Sequence, residues 1–114
     1  YNRLNKDGYL IINVPAFQFL YTDYDKKIGH YRRYNKSSFK KLLKNLNINN
    51  FQMSYFDSIG FCLIFFSKYF AVSNKVNFKK SVGIWNFLVP ISKLLDFFLS
   101  SFIGKSLMVT IKKD

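Results

Sequence analysis

The chain has 114 residues, enough for one domain at most or for part of a larger one. With 49% hydrophobic and 20% aromatic residues it has ample material for a core, which excludes a disordered chain. The formal net charge is +12 with no glutamate, but three arginines against many scattered lysines make a poor set of phosphate forks, which excludes nucleic acid as a partner.

Lysine, asparagine, isoleucine, phenylalanine and tyrosine are abundant together, as AT-rich coding imposes, so ordinary solvated faces account for most of the charge. A membrane surface is the better functional reading of the remainder. The opening Tyr1-Asn2-Arg3-Leu4-Asn5-Lys6-Asp7-Gly8 carries no signal-peptide pattern and reads as the tail of something under way. The expectation is a piece of a longer protein.

Tyr9 to Val14 is an apolar run broken only by Asn13 and ended by Pro15. Runs of this kind are covered on both faces, so an interior strand of a parallel sheet is expected, with Asp7-Gly8 as the turn into it. Pro15 to Tyr34 follows as a loop too long for a simple connector and too aromatic for disorder, with a helical turn predicted around Phe17 to Tyr21.

Asn35 to Asn47 is the clearest helix. Asn35 is its predicted N-cap, and Phe39, Leu42, Leu43 and Leu46 form one apolar stripe opposite Lys40, Lys41 and Lys44. Asn47 to Asn50 closes it in a left-handed cap. Phe51, Met53 and Tyr55 then alternate with Gln52 and Ser54, a strand with one buried face.

Ile59 to Val72 is an apolar segment of helical length, and its Cys62 is expected to be a small buried residue. Asn74 to Lys80 reads as a basic linker. Ile84 to Ile103 is a second apolar stretch, interrupted by Asn86, Pro90, Lys93 and Asp96. Neither stretch makes a convincing membrane span, and buried or membrane-surface helices suit both better. Ser106 to Lys112 is the predicted closing strand.

The densest chemistry lies in the loop after the first strand. Parallel sheets bind ligands beyond the carboxyl ends of their strands, and this loop leaves such an end. His30 is the only histidine, a residue type suited to proton transfer near neutral pH, and Asp23 and Asp25 precede it. Arg32 and Arg33 could fix an anionic substrate or a buried aspartate. Equally, a single histidine among such neighbours can simply pin a loop by hydrogen bonds.

The succession Asn13-Val14-Pro15-Ala16, Asp25, Gly29-His30-Tyr31-Arg32-Arg33-Tyr34, with Gly104-Lys105-Ser106-Leu107 opening the last strand, resembles a group of class I S-adenosylmethionine-dependent methyltransferases often found near or fused to glycosyltransferases. The resemblance covers nearly the whole chain. It implies an α/β fold, a partial Rossmann-like sheet of the last three strands, with the final strand antiparallel between the other two. Residues 1–114 would be the C-terminal part of one domain, with residues 58–104 a helical insertion or cover.

By the same resemblance His30 would be the catalytic base or would orient the acceptor. Asp25, Arg33, Tyr31 and Tyr21 would hold substrate or shape the loop, Tyr34 would pack, and Pro15 and Ala16 would lie at the periphery of the cofactor site. No metal is expected. The implied partners are S-adenosyl-L-methionine, a small-molecule or lipid-linked acceptor, and the missing N-terminal half. No glycine-rich strand-to-helix turn occurs in these residues, so the piece alone is expected to be inactive. The implied setting is cytoplasmic, with peripheral membrane contact. A basic membrane-surface or protein-interaction module without catalysis is the alternative.

Overall fold

The computed structural model describes residues 1, 3–69 and 78–114. In chain order they form β1 (Tyr9–Pro15), a 3-10 turn (Gln18–Leu20), α1 (Asp23–Lys27), α2 (Lys36–Asn45), β2 (Phe51–Phe56), α3 (Ser58–Tyr69), α4 (Phe78–Leu99) and β3 (Ser106–Lys112). The fold is mixed α/β with one small sheet, in the order β1-β3-β2.

β3 runs antiparallel to β1, in register from Tyr9 opposite Lys112 to Pro15 opposite Ser106. On its other side, the Lys112 amide donates to the Asn50 carbonyl just before β2, and the Lys105 amide to the Asp57 carbonyl just after it. β3 is therefore antiparallel to both neighbours, and β1 and β2 point the same way. The last strand lies between the first two, as expected.

The expectation of an interior first strand is not met. Among the described residues β1 stands at the margin of the sheet, with β3 as its one partner, antiparallel. One face of it is half-buried through Leu10, Ile12 and Val14, which pair with the buried Ile111, Val109 and Leu107 of β3. The other face carries Tyr9 and Ile11, 62% and 65% exposed, beside the exposed Met108. An apolar run puts greasy residues on both sides of a strand, but only a second layer can bury both. Among the described residues, none covers this one.

The chain divides into two compact units, residues 1–54 with 106–114, and residues 55–105. The core of the first unit holds Ala16, Leu20, Phe39, Leu43, Ile48, Leu107, Val109 and Ile111. Helix α2 belongs to it, and its ends are built as expected. The Asn35 side chain accepts from the Ser38 amide at 2.7 Å, and the Ser38 hydroxyl accepts from the Asn35 amide at 3.0 Å, a reciprocal cap.

At the other end Asn47 takes a φ of 56°. Its amide donates to the Lys44 carbonyl and that of Ile48 to the Leu43 carbonyl, the paired bonds of a Schellman turn. The predicted stripe is only half right. Phe39 and Leu43 are buried, whereas Leu42 and Leu46 are exposed. The turn carries Ile48 into the core in place of Leu46, so two helical residues and one from the cap suffice.

The second unit contains α3 and α4, which pack on each other. Within this unit the start of α3 is fixed by polar groups. Asp96 of α4 accepts from the backbone amides of Asp57 and Ser58 at 2.7 and 2.8 Å, satisfying donors at the start of α3. Asp57, at a φ of 63°, accepts from the Gly60 amide and pairs with Lys105 at 3.6 Å. A side chain on Gly104 would meet the Phe56 backbone oxygen and nitrogen at 2.5 and 2.6 Å, so only glycine fits there without movement.

Two further expectations change. α4 begins at Phe78, so the last three residues of the expected basic linker are helical, and the rest of that linker lies outside the described residues, as does the predicted tail of the first apolar helix. Helix α4 is continuous through Pro90. Cys62 is exposed rather than buried. Helix α3 is apolar on most sides, so apolar neighbours in sequence do not tell which side faces inward. No helix among the described residues is long and apolar enough to cross a membrane.

Candidate functional site

The twenty residues between β1 and α2 form a knot built around one carboxylate. Asp25 is third in the short helix α1, and its Oδ2 accepts from the backbone amide and the hydroxyl of Thr22, the helix N-cap, at 2.9 and 3.1 Å. Arg33 approaches from the other end of the loop. Its Nη2 donates to Asp25 Oδ2 at 2.9 Å and its Nε to Oδ1 at 3.1 Å, a bidentate pair with both side chains buried. The remaining nitrogen, Nη1, donates to the Ala16 carbonyl at 3.2 Å and so ties the pair to the exit of β1.

The two flanks of the loop are also joined through their backbones. The Tyr34 amide donates to the Pro15 carbonyl at 2.9 Å and the Phe17 amide to the Tyr34 carbonyl at 2.8 Å, a parallel bridge across Ala16. The Arg33 amide donates to the Gln18 side-chain carbonyl at 2.8 Å. Arg32 lies outside, its Nε donating to the Tyr34 hydroxyl and its guanidinium 4.7 Å from the Tyr34 ring centre. The Tyr34 ring in turn meets Phe39 edge-on at 5.4 Å, a packing role.

His30 is delivered to this knot by the end of α1. Gly29 takes a φ of 81° and its amide donates to the Lys26 carbonyl, while the His30 amide donates to the Asp25 carbonyl at 2.8 Å. These are again the two bonds of a Schellman turn, with glycine where the left-handed residue is needed. The His30 carbonyl accepts from the Tyr21 hydroxyl at 2.7 Å. The imidazole Nδ1 then lies 3.2 Å from Asp25 Oδ1, with the side chain 41% exposed.

Burial works against a charge on Asp25, but hydrogen bonds from Arg33, the Thr22 amide and His30, with the positive field of Arg33, outweigh it and hold the carboxyl below the usual carboxylate range. An ionised carboxylate only accepts. The contact with His30 therefore requires a proton on Nδ1, which in the neutral tautomer places the lone pair on Nε2. A buried aspartate bonded to a half-exposed histidine has the geometry that can orient an imidazole for proton transfer, and it equally pins the loop.

The structure brings Asp25, His30, Arg33 and Tyr21 together. Asp25 and Arg33 bond each other and the loop. Tyr31 stands apart, 95% exposed. Pro15 and Ala16 form the floor of the knot, with both carbonyls taken and Ala16 fully buried. Gln18 and Thr22 were not singled out by the sequence, yet each holds one end of the loop. Thr22, three residues before Asp25, is a helix-start signal that could have found α1. No cluster of metal-binding side chains occurs among the described residues.

The second unit has a cleft of about 240 Å³, lined mostly by Phe56, Ile59, Leu88 and Val89, with Asp57, Lys93 and Asp96 as its charged members. Ser92 also lines it, its hydroxyl buried without a hydrogen-bond partner among the described residues. No family model, no curated protein and no solved structure matches the chain.

Proposed function

We propose that these residues form the C-terminal, acceptor-side portion of an S-adenosylmethionine-dependent class I methyltransferase acting on a small or lipid-linked acceptor. The observation that carries the proposal is the seating of His30. It sits three hydrogen bonds from the exit of β1, through Asp25 and Arg33 to the Ala16 carbonyl, with Nδ1 engaged and Nε2 directed away from the carboxylate. The resemblance in sequence and the order β1-β3-β2 with an antiparallel middle strand support it.

The residues present do not by themselves fit the cofactor. They contain no glycine-rich strand-to-helix turn, and the carbonyls of Pro15 and Ala16 are already bonded within the loop. On this proposal the donor is held by polypeptide outside residues 1–114. The same polypeptide would place a strand against the open margin of β1 and a layer over Tyr9, Ile11 and Met108.

Methyl transfer from a sulfonium needs an acceptor aligned for in-line attack and, where it carries a proton, a base. In this chain Nε2 of His30 accepts that proton or orients the acceptor through it. Asp25 holds the imidazole, Arg33 and Tyr21 hold the loop, and Tyr31 is free in space to close over a bound acceptor.

The test is transfer of a tritiated methyl group from S-adenosylmethionine to lipid or small-molecule extracts by the full-length polypeptide that carries these residues. Label is expected in an acceptor, and His30→Ala is expected to lower turnover roughly 100-fold or more with little change in acceptor KM. Absence of label with folded protein in every extract overturns the function, and unchanged turnover in the variant removes His30 from it. Calorimetry on residues 1–114 alone is expected to show no micromolar binding of S-adenosylmethionine.

A further inference from the structure

The cleft of the second unit lies where α3 begins, against α4 from Leu88 to Asp96, and its lining falls wholly within residues 55–105. Phe56, Ile59, Leu88 and Val89 make most of its wall apolar. An apolar cavity of about 150 Å³ accommodates benzene, with its six heavy atoms. In proportion, a cleft of about 240 Å³ takes a molecule of roughly ten heavy atoms.

The polar groups on the wall select the rest of that molecule. Ser92 is 8% exposed, and its hydroxyl has no hydrogen-bond partner among the described residues. Ser58 has the other such hydroxyl, but only Ser92 lines the cleft. An unpaired buried hydroxyl is costly, and an acceptor oxygen bound beside it removes that cost. Serine turns about one side-chain torsion with three staggered wells, so rotation brings its hydroxyl to such an acceptor. The carboxylates on the wall are already occupied. Asp96 accepts from the Asp57 and Ser58 amides through both oxygens, and Asp57 accepts from the Gly60 amide and pairs with Lys105. Their two charges disfavour an anion, while Lys93 on the wall and Lys105 beside Asp57 disfavour a cation.

We infer that this cleft binds a small uncharged aliphatic molecule of about eight to ten heavy atoms, whose alcohol or carbonyl oxygen accepts from the Ser92 hydroxyl. Its chain lies against Phe56, Ile59, Leu88 and Val89. This site does not depend on methyl transfer.

The test is titration of the full chain with 1-butanol, 1-hexanol and 1-octanol, read by the methyl NMR shifts of Ile59, Leu88 and Val89. Saturable binding is expected, tightening about fourfold for each added methylene. Octanoate and octylamine, charged at the head, are expected to bind at least roughly tenfold more weakly than 1-octanol. Ser92→Ala is expected to weaken 1-octanol binding about fivefold, the loss of one neutral hydrogen bond. Val89→Trp fills the cleft and is expected to abolish saturable binding, with the fold checked by circular dichroism.

Absence of saturable shifts with every alcohol overturns the proposal. So do unsaturable shifts spread over the exposed rings of Phe87, Phe97 and Phe98, since the alcohols would then only coat the surface. Equal affinity of Ser92→Ala for 1-octanol, or tighter binding of either charged probe, overturns the assigned head group. Should Val89→Trp fail to fold, the shifts of the natural chain still decide where the probe sits. Loss of methyl transfer by His30→Ala with unchanged binding of 1-octanol is expected, which keeps the two sites separable.

Discussion

The loop knot of the first unit and the helical pair of the second solve the same problem, fixing a short segment, by opposite means. The knot buries a charged pair and closes on directional bonds: Asp25 alone accepts from Thr22, His30 and Arg33. Helices α3 and α4 are overwhelmingly apolar, yet most of their described large side chains remain exposed. Directional bonds specify one geometry with few residues. Apolar surface specifies only that something must cover it. A region rich in hydrophobic residues is therefore the less self-sufficient of the two.

The sharpest way to break this comparison is to remove one partner of the buried pair. Arg33→Met leaves Asp25 ionised and nearly inaccessible, and a loss of about 3–5 kcal/mol in folding stability is expected by urea denaturation. Adding Asp25→Leu to that variant is expected to restore most of it. A loss under about 1 kcal/mol in the single variant would show that the knot is not what fixes the loop.

Acid probes the same bond more gently. The pKa of Asp25 is lowered in the folded state, so its contribution is complete above the unfolded value near 3.8 and disappears as pH falls through the lower folded value. Near-UV circular dichroism of the tyrosines is expected to hold down to about pH 4 and to change below it. In Arg33→Met that transition is expected to move to higher pH, since the main stabilising partner of the carboxylate is gone. At the smallest end, Leu94→Ser with Phe98→Ser is expected to alter folding stability by no more than about 0.5 kcal/mol per site, because exposed side chains contribute little to folding. A large loss would mean that this face is packed in solution.

How far these regions were legible follows from the same contrast. Signals that act over three or four residues were readable: the Asn35 cap, the Asn47 left-handed turn and the closing strand Ser106–Lys112 appear where the sequence puts them. The alternation on β3, with Leu107, Val109 and Ile111 buried, is visible in the letters. What could not be read is which apolar surfaces find partners. Ile11, Leu46, Cys62 and Phe98 look like core residues in sequence and are exposed, because burial depends on a second layer rather than on the residue.

In the candidate site, the residue types were evident but their division of labour was not. Asp25 and Arg33 suit a ligand equally well until their mutual distances are known. Helix α1, five residues long, is too short for any periodicity to reveal. Without it, the spacing from Asp25 to His30 carries no geometric meaning.

Besides the bond from its ring to Asp25, position 30 is held at both of its main-chain groups. Its amide is fastened to the Asp25 carbonyl and its carbonyl receives the Tyr21 hydroxyl, so neither attachment uses the imidazole. The ring is an interchangeable fitting on a fixed bracket. A lineage or a designer can therefore exchange the chemical group offered there, from proton acceptor to amide to inert methyl, without having to solve the path of the loop again.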